Sequence, residues 1–198
     1  MPLARDHPDR IRWNARFKVR RPVFDPHPLA VFALETGFLP GPVLELACGP
    51  SGSALALAAA GRDVVAVDIS DVALAQLAAE AERRDLAERI DCVLADLTHY
   101  DAGPERFALV LATRFWDEAA FRSGCRALLP GGLVGWEALT GRVGDDARHE
   151  RAWYVEHGGL SARLPEGFEV LREEAHGSAR HHATRILARR GAAPGASE

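Results

Sequence analysis

The sequence predicts an α/β fold: a doubly wound, mostly parallel sheet covered by helices. Three observations carry this. Short apolar runs recur at Val43–Ala47, Asp63–Asp68, Ile90–Ala95, Phe107–Ala112 and Leu133–Leu139. Stretches of helical periodicity separate them, and that alternation implies parallel pairing with right-handed crossovers. The run Phe107–Ala112 is apolar throughout, as expected of a strand with helices over both faces.

In chain order, Asp9–Phe17 carries Ile11, Trp13 and Phe17 at helix-compatible spacing and predicts a short amphipathic helix with Asp9 as its cap. Pro22, Pro26 and Pro28 then impose an extended connector. Leu29–Thr36 predicts a second helix, stopped by Gly37 in a left-handed conformation. Val43–Ala47 is too short and too tightly bounded for a helix and reads as a buried strand. Gly49 and Gly52 follow, and without a Cβ each allows a sharp bend and close approach to a ligand. A helix near Ser53–Ala60 then points its free N–H groups and positive dipole end at that turn. Strand, glycine turn and helix form a cofactor cradle.

After the second strand, Ser70 or Asp71 caps a helix running to about Arg84, with Val72, Leu77 and Ala81 on its apolar stripe. The third strand leads into Asp96, and Thr98–Pro104 is a polar loop. Thr113, Arg114, Phe115 and Trp116 stand at the carboxyl end of the fourth strand, where open α/β sheets bind ligands. A helix near Asp117–Leu129 is stopped by Pro130-Gly131-Gly132, and the fifth strand contains Trp136 and Glu137. Thr140–Arg151 reads as a polar, mobile segment, and Trp153–Leu164 as a Gly158-Gly159 turn before a short helix. Phe168–Leu171 and Thr184–Ala188 read as two final strands, and residues 191–198 as a disordered tail.

The chain has 198 residues, of which 47% are hydrophobic, enough for one domain with a sizeable core. A net charge of −4, with both signs interspersed, argues against a nucleic-acid partner. The start of the chain has no apolar signal region, and no apolar run reaches the ~18 residues of a membrane span. Cys48, Cys92 and Cys125, odd in number and scattered, suit reduced thiols in a cytoplasm.

The spacing of Gly49 and Gly52 lacks the G-x-G-x-x-G of a dinucleotide site, which disfavours a nicotinamide cofactor. In its place Glu45 lies inside the first strand, Asp68 closes the second and Asp96 follows the third. A carboxylate at Asp68 can accept from both hydroxyls of a ribose, and Asp96 is placed to accept from an adenine amino group. The series LELACGPSG, VVAVDIS, VLADL and LVLATRF…LLPGGLVGWEAL resembles class I S-adenosylmethionine-dependent methyltransferases over residues 42–139. Arg-Trp near the start, Thr-Arg-Phe, Trp-Glu-Ala and Val155–Leu160 resemble the tellurite-resistance methyltransferase-like branch, which acts on small acceptors. That branch often has an aspartate where this chain has Glu45.

The resemblance implies a Rossmann-like sheet of seven strands closed by an antiparallel C-terminal edge. Residues 1–40 would be an N-terminal helical lid or edge, and residues 41–190 the S-adenosylmethionine-dependent methyltransferase domain. Glu45 would organise the turn and the methionine ammonium, and Cys48 and Gly49 would present backbone groups to the methionine portion. Asp68 would hold the ribose with Ile69 on the adenine face. Asp96 and the Leu97 backbone would read the adenine edge, and Thr113 would lie near the methionine tail. Trp13 is a lid residue or an edge residue. Arg114 and Glu137, beside Trp116, form a structural ion pair, or Arg114 orients an anionic or polar acceptor while Glu137 fixes its guanidinium. The activity implied is in-line methyl transfer to a small molecule, which relies on alignment; a thiolate or other soft nucleophile would need no strong general base, and no residue must be one. A non-catalytic binding module is the alternative, and a nicotinamide-dependent oxidoreductase a weaker one. His157, His176, His181 and His182 lack metal-site spacing, so no metal is expected.

Overall fold

The computed structural model describes residues 4–140, 154–177 and 182–192. The elements in order are α1 (Pro8–Val19), α2 (Pro28–Thr36), β1 (Val43–Leu46), α3 (Gly52–Ala59), β2 (Val64–Asp68), α4 (Asp71–Arg83), β3 (Ile90–Leu94), β4 (Phe107–Ala112), α5 (Glu118–Ala127), β5 (Leu128–Thr140), β6 (Phe168–Gly177) and β7 (His182–Arg190). Single 3₁₀ turns occur at Ala87–Arg89 and Ser161–Arg163. The seven strands form one sheet in the order β3-β2-β1-β4-β5-β7-β6. Strands β1 to β5 are parallel, and β7 runs antiparallel to both β5 and β6. The expected doubly wound sheet with an antiparallel C-terminal edge is therefore present.

Alternation along β1 splits the core into two layers. Val43 faces Leu29, Ala33, Leu55 and Leu77 of α2, α3 and α4. Leu44 and Leu46 face the opposite layer, where Phe121 and Cys125 of α5 pack with Trp136 and Ile186. Side-chain caps set the helix starts: Ser51 accepts from the Ala54 N–H, Ser70 from Ala73 and Asp117 from Ala120. Gly37 closes α2 at φ 74°, as its position predicts. Among the described residues no helix is long and apolar enough to cross a membrane.

Four details differ from the sequence reading. Helix α1 starts at Pro8 with His7 at its N-cap position, and Asp9 lies inside the first turn. The buried stripe of α4 is Ala73, Leu74, Leu77 and Ala81, with Val72 only half-buried. Pro130-Gly131-Gly132 does not end a helix; it lies inside β5, at a bulge where the pairing with β4 jumps from Phe107–Leu128 to Leu109–Leu133. Gly131 takes φ 82° there, which explains a glycine within a strand. Both C-terminal strands also run longer than their apolar centres. The predicted segment 141–151, Trp153, His181 and residues 193–198 of the predicted tail lie outside the described residues.

Candidate functional site

The turn after β1 reverses direction through two left-handed residues, Ala47 (φ 52°) and Gly49 (φ 57°). A non-glycine residue in that region is held against its preference, a form of strain that gathers at ligand sites. Glu45 is 2% exposed. Its two carboxylate oxygens accept from the Ser51 hydroxyl at 2.8 and 2.7 Å, while the Ser51 oxygen accepts the Ala54 N–H at 2.9 Å. Burial raises the Glu45 carboxyl to about 7; the Ser51 hydrogen bond opposes the shift and Asp68 adds to it.

At the end of β2, Asp68 is 6% exposed. One oxygen accepts the Gly49 N–H at 2.8 Å and the other the Ser70 N–H at 2.8 Å, tying the turn to the start of α4. Burial raises its carboxyl, against the pull of these backbone donors. No basic side chain pairs with Glu45 or Asp68 among the described residues. Two buried acids stand beside one turn without a cation, an arrangement that costs stability unless a positive group arrives.

Ile69 is half-buried and Leu97 buried. Asp96 is half-buried and locally engaged: it accepts from the Thr98 N–H at 3.0 Å and hydroxyl at 2.8 Å, and meets His99 Nδ1 at 2.9 Å. Burial works against ionisation at Asp96, but His99 and Thr98 hold its carboxyl below the ordinary value. Cys48 and Gly49 have spent their N–H groups internally, on the Val67 carbonyl at 3.1 Å and on Asp68.

Beyond β4, Thr113 is half-buried and Arg114 adopts φ 55°. The Arg114 side chain is 76% exposed, and its Nε lies 4.0 Å from Glu137 Oε1. Glu137 is buried, and its nearer partner is His27, with Nε2 at 3.1 Å. Burial opposes the Glu137 charge, yet the His27 hydrogen bond and the Arg114 and Arg185 guanidinium groups keep its carboxyl below the ordinary range. His27 Nδ1 accepts the Leu29 N–H at 3.2 Å, so both imidazole nitrogens are occupied. Trp116 packs on Phe121, with rings 5.4 Å apart, and the Arg163 guanidinium lies 5.6 Å from its centroid.

The N-terminal segment meets this site along its length. Phe17 approaches Gly49 so closely that a Cβ there would touch its ring at 3.4 Å. Trp13 stacks on Phe17 at 5.8 Å. Asn14 accepts from the Ser70 hydroxyl at 2.6 Å and donates to Asp71 at 2.7 Å, and Arg10 pairs with Asp71 at 2.8 Å. His7 Nε2 lies 3.7 Å from Asp96 Oδ2. At Gly52 a Cβ would collide with the backbone of Phe24 and Asp25, so this glycine makes room for the connector and not for a ligand.

Asp68 is thus bonded to Gly49, and Glu45 to Ser51 of the same turn, whereas Arg114 stands apart on the surface. Sequence reasoning missed Ser51, His27, Phe17, Asn14 and His7. Ser51 was legible as a serine just before a helical pattern, and His27 as the residue before Pro28 at a helix start. The contacts made by His7, Asn14 and Phe17 reach more than thirty positions along the chain and left no local signal.

Residues 43–132 match the family model described as a methyltransferase domain. No curated protein sequence matches the chain. Solved structures share its fold. A protein of echinomycin biosynthesis, concerned with converting a disulfide bond into a thioacetal group, superposes with a TM-score of 0.70 at 20% identity, covering 92% of this chain and 91% of its own. TehB from Haemophilus influenzae superposes with a TM-score of 0.69 at 18% identity, over 83% of this chain and 62% of its own. Magnesium protoporphyrin IX methyltransferase from Synechocystis PCC 6803, with bound SAH, gives a TM-score of 0.66 at 18% identity, over 83% and 80%.

Proposed function

We propose, from the match of residues 43–132 to a methyltransferase domain model, that this chain transfers a methyl group from S-adenosylmethionine to a small-molecule acceptor. One observation carries the reading: Glu45 and Asp68 are buried beside the glycine turn with no cationic side chain among the described residues to balance them. The cofactor brings an ammonium and a sulfonium, the charges that such a site lacks, together with ribose hydroxyls that can donate to Asp68. A nicotinamide dinucleotide brings a pyrophosphate, which two buried acids would repel.

When bound, S-adenosylmethionine supplies a methyl group on a positively charged sulfur, already activated for displacement. The chain's share is binding and alignment, which alone accelerates such a step greatly. Glu45 would hold the ammonium, with Ser51 fixing its carboxylate, and the Cys48 and Gly49 carbonyls would face the methionine portion. Asp68 would take the ribose, Ile69 and Leu97 would flank the adenine, and Asp96 would lie at its edge. Thr113 would adjoin the methionine tail. Arg114, loosely paired and exposed at the carboxyl end of the sheet, would receive an anionic or polar acceptor beside Trp116. Glu137 belongs first to His27, so it anchors the segment behind Arg114 more than it fixes the guanidinium. Trp13 lies on a helix across the turn, which favours a lid over a simple edge for residues 1–40. Three free thiols accord with a cytoplasmic setting.

The test uses ligands that differ only in the amino-acid tail. Glu45→Gln should weaken S-adenosylhomocysteine about 10- to 100-fold, the value of a charge-assisted bond. Methylthioadenosine, which lacks the ammonium, should bind both proteins alike in calorimetry. If wild-type protein ignores both ligands, the reading is wrong. If it binds S-adenosylmethionine but transfers no label to pooled thiols, amines and oxyanions, it is a binding module.

A further inference from the structure

Helix α1 lies outside the residues matched by the family model, yet one of its faces spans the ends of three strands of the candidate site. Phe17 meets Gly49 after β1, Asn14 meets Ser70 after β2, and His7 faces Asp96 after β3. These residues are seven and ten positions apart from His7, the spacing that places side chains on one helical face. No residue of α1 is itself buried, so the helix is held by this row of contacts and not by a core of its own.

His7 carries an unresolved chemical demand. Its Nδ1 is buried and has no hydrogen-bond partner among the described residues. Its Nε2 faces the Asp96 carboxylate at 3.7 Å, which favours the ring proton on that nitrogen and leaves Nδ1 with an open lone pair. Buried acceptors without donors are rare and costly, so a donor from outside the chain is the natural complement. Asp96, for its part, already accepts from Thr98 twice and contacts His99. Both Thr98 bonds fall on Oδ1, so Oδ2, beside His99 and His7, is the oxygen that a further donor would meet.

We propose that His7 is a cofactor-binding residue, whose Nδ1 accepts a hydrogen from the exocyclic amino group of adenine beside Asp96. The inference rests on the S-adenosylmethionine reading and deepens it. An amino group has two hydrogens, and Asp96 and His7 are two acceptors supplied by different parts of the chain. Adenine is then recognised only when α1 is in place, which couples base selection to closure of the N-terminal segment.

Calorimetry on the full chain with S-adenosylhomocysteine and with S-inosylhomocysteine tests this, because the second ligand has a 6-oxo group where the first has the amino group. Wild-type protein should prefer the adenosyl ligand. His7→Phe keeps a flat ring without an acceptor and should weaken that ligand about tenfold, leaving the inosyl ligand unchanged. His7→Gln, whose amide oxygen can accept, should restore much of the preference. A wild-type protein indifferent to the two ligands, or variants that lose affinity for both equally, would overturn the role of His7. Wild-type protein that binds neither ligand would overturn the cofactor reading itself, and this inference with it.

Discussion

Glu45 sets the pH behaviour expected of the site. Its carboxyl rises from 4.5 to about 7 on folding, chiefly through burial. The folded form therefore holds a proton that the unfolded form has released. Its contribution to stability is fully present below pH 4.5 and is lost as pH rises through 7. With ~1.4 kcal/mol for each pH unit, the loss is about 3 kcal/mol. Ligand-free protein should thus melt at a lower temperature at pH 8 than at pH 5 through this group, and Glu45→Gln should flatten that difference. Ligand affinity should run the other way, because only the ionised carboxylate attracts an ammonium. Below pH 7 the Kd for S-adenosylhomocysteine should weaken by up to about tenfold per unit, and a titration series with no slope, or with the slope kept in Glu45→Gln, would deny Glu45 this part.

Among the elements, the connector between α1 and α2 makes the sharper structural demand. It crosses α3 at Gly52, where its Phe24 and Asp25 backbone leaves no room for a Cβ. Backbone cannot swing aside as a long side chain does. Gly52→Ala should therefore destabilise the protein by roughly 1–3 kcal/mol, as overpacking does, and should free the N-terminal segment, which limited proteolysis between residues 19 and 28 would detect. The strands and helices of the central region were legible because each repeats its own period and ends in a capping residue or glycine. The Pro130-Gly131-Gly132 stretch misled because a bulge uses the same residues as a helix stop. The site was half legible. Glu45, Gly49 and Asp68 lie within one strand-turn-helix-strand pattern, whereas Asn14 is 56 positions from Ser70 and His27 is 110 positions from Glu137. Pairings at such range depend on how whole elements meet, which no local spacing encodes.

For the molecule as a whole, the strand order matters most. Strand β7, the last of the described strands, is not at the edge of the sheet; it lies between β5 and β6. It pairs with β5 from Leu133–Arg189 to Thr140–His182, covering the strand that carries Trp136 and Glu137. A chain stopped at Gly177 would lose β7, leave β5 with an open edge and β6 with no partner. Such a protein should elute as aggregate in size-exclusion chromatography, since a long unpaired edge invites pairing between chains. A monomeric, ligand-binding product would show that β7 is dispensable. The same order has a consequence for biosynthesis. The cradle residues leave the ribosome early, but β5 must wait for β7, which follows Thr140 by about 40 residues. At ~5–20 residues per second that interval is roughly 2–8 s, during which a nascent apolar edge is bare, the interval in which chaperone capture would decide the yield of folded enzyme.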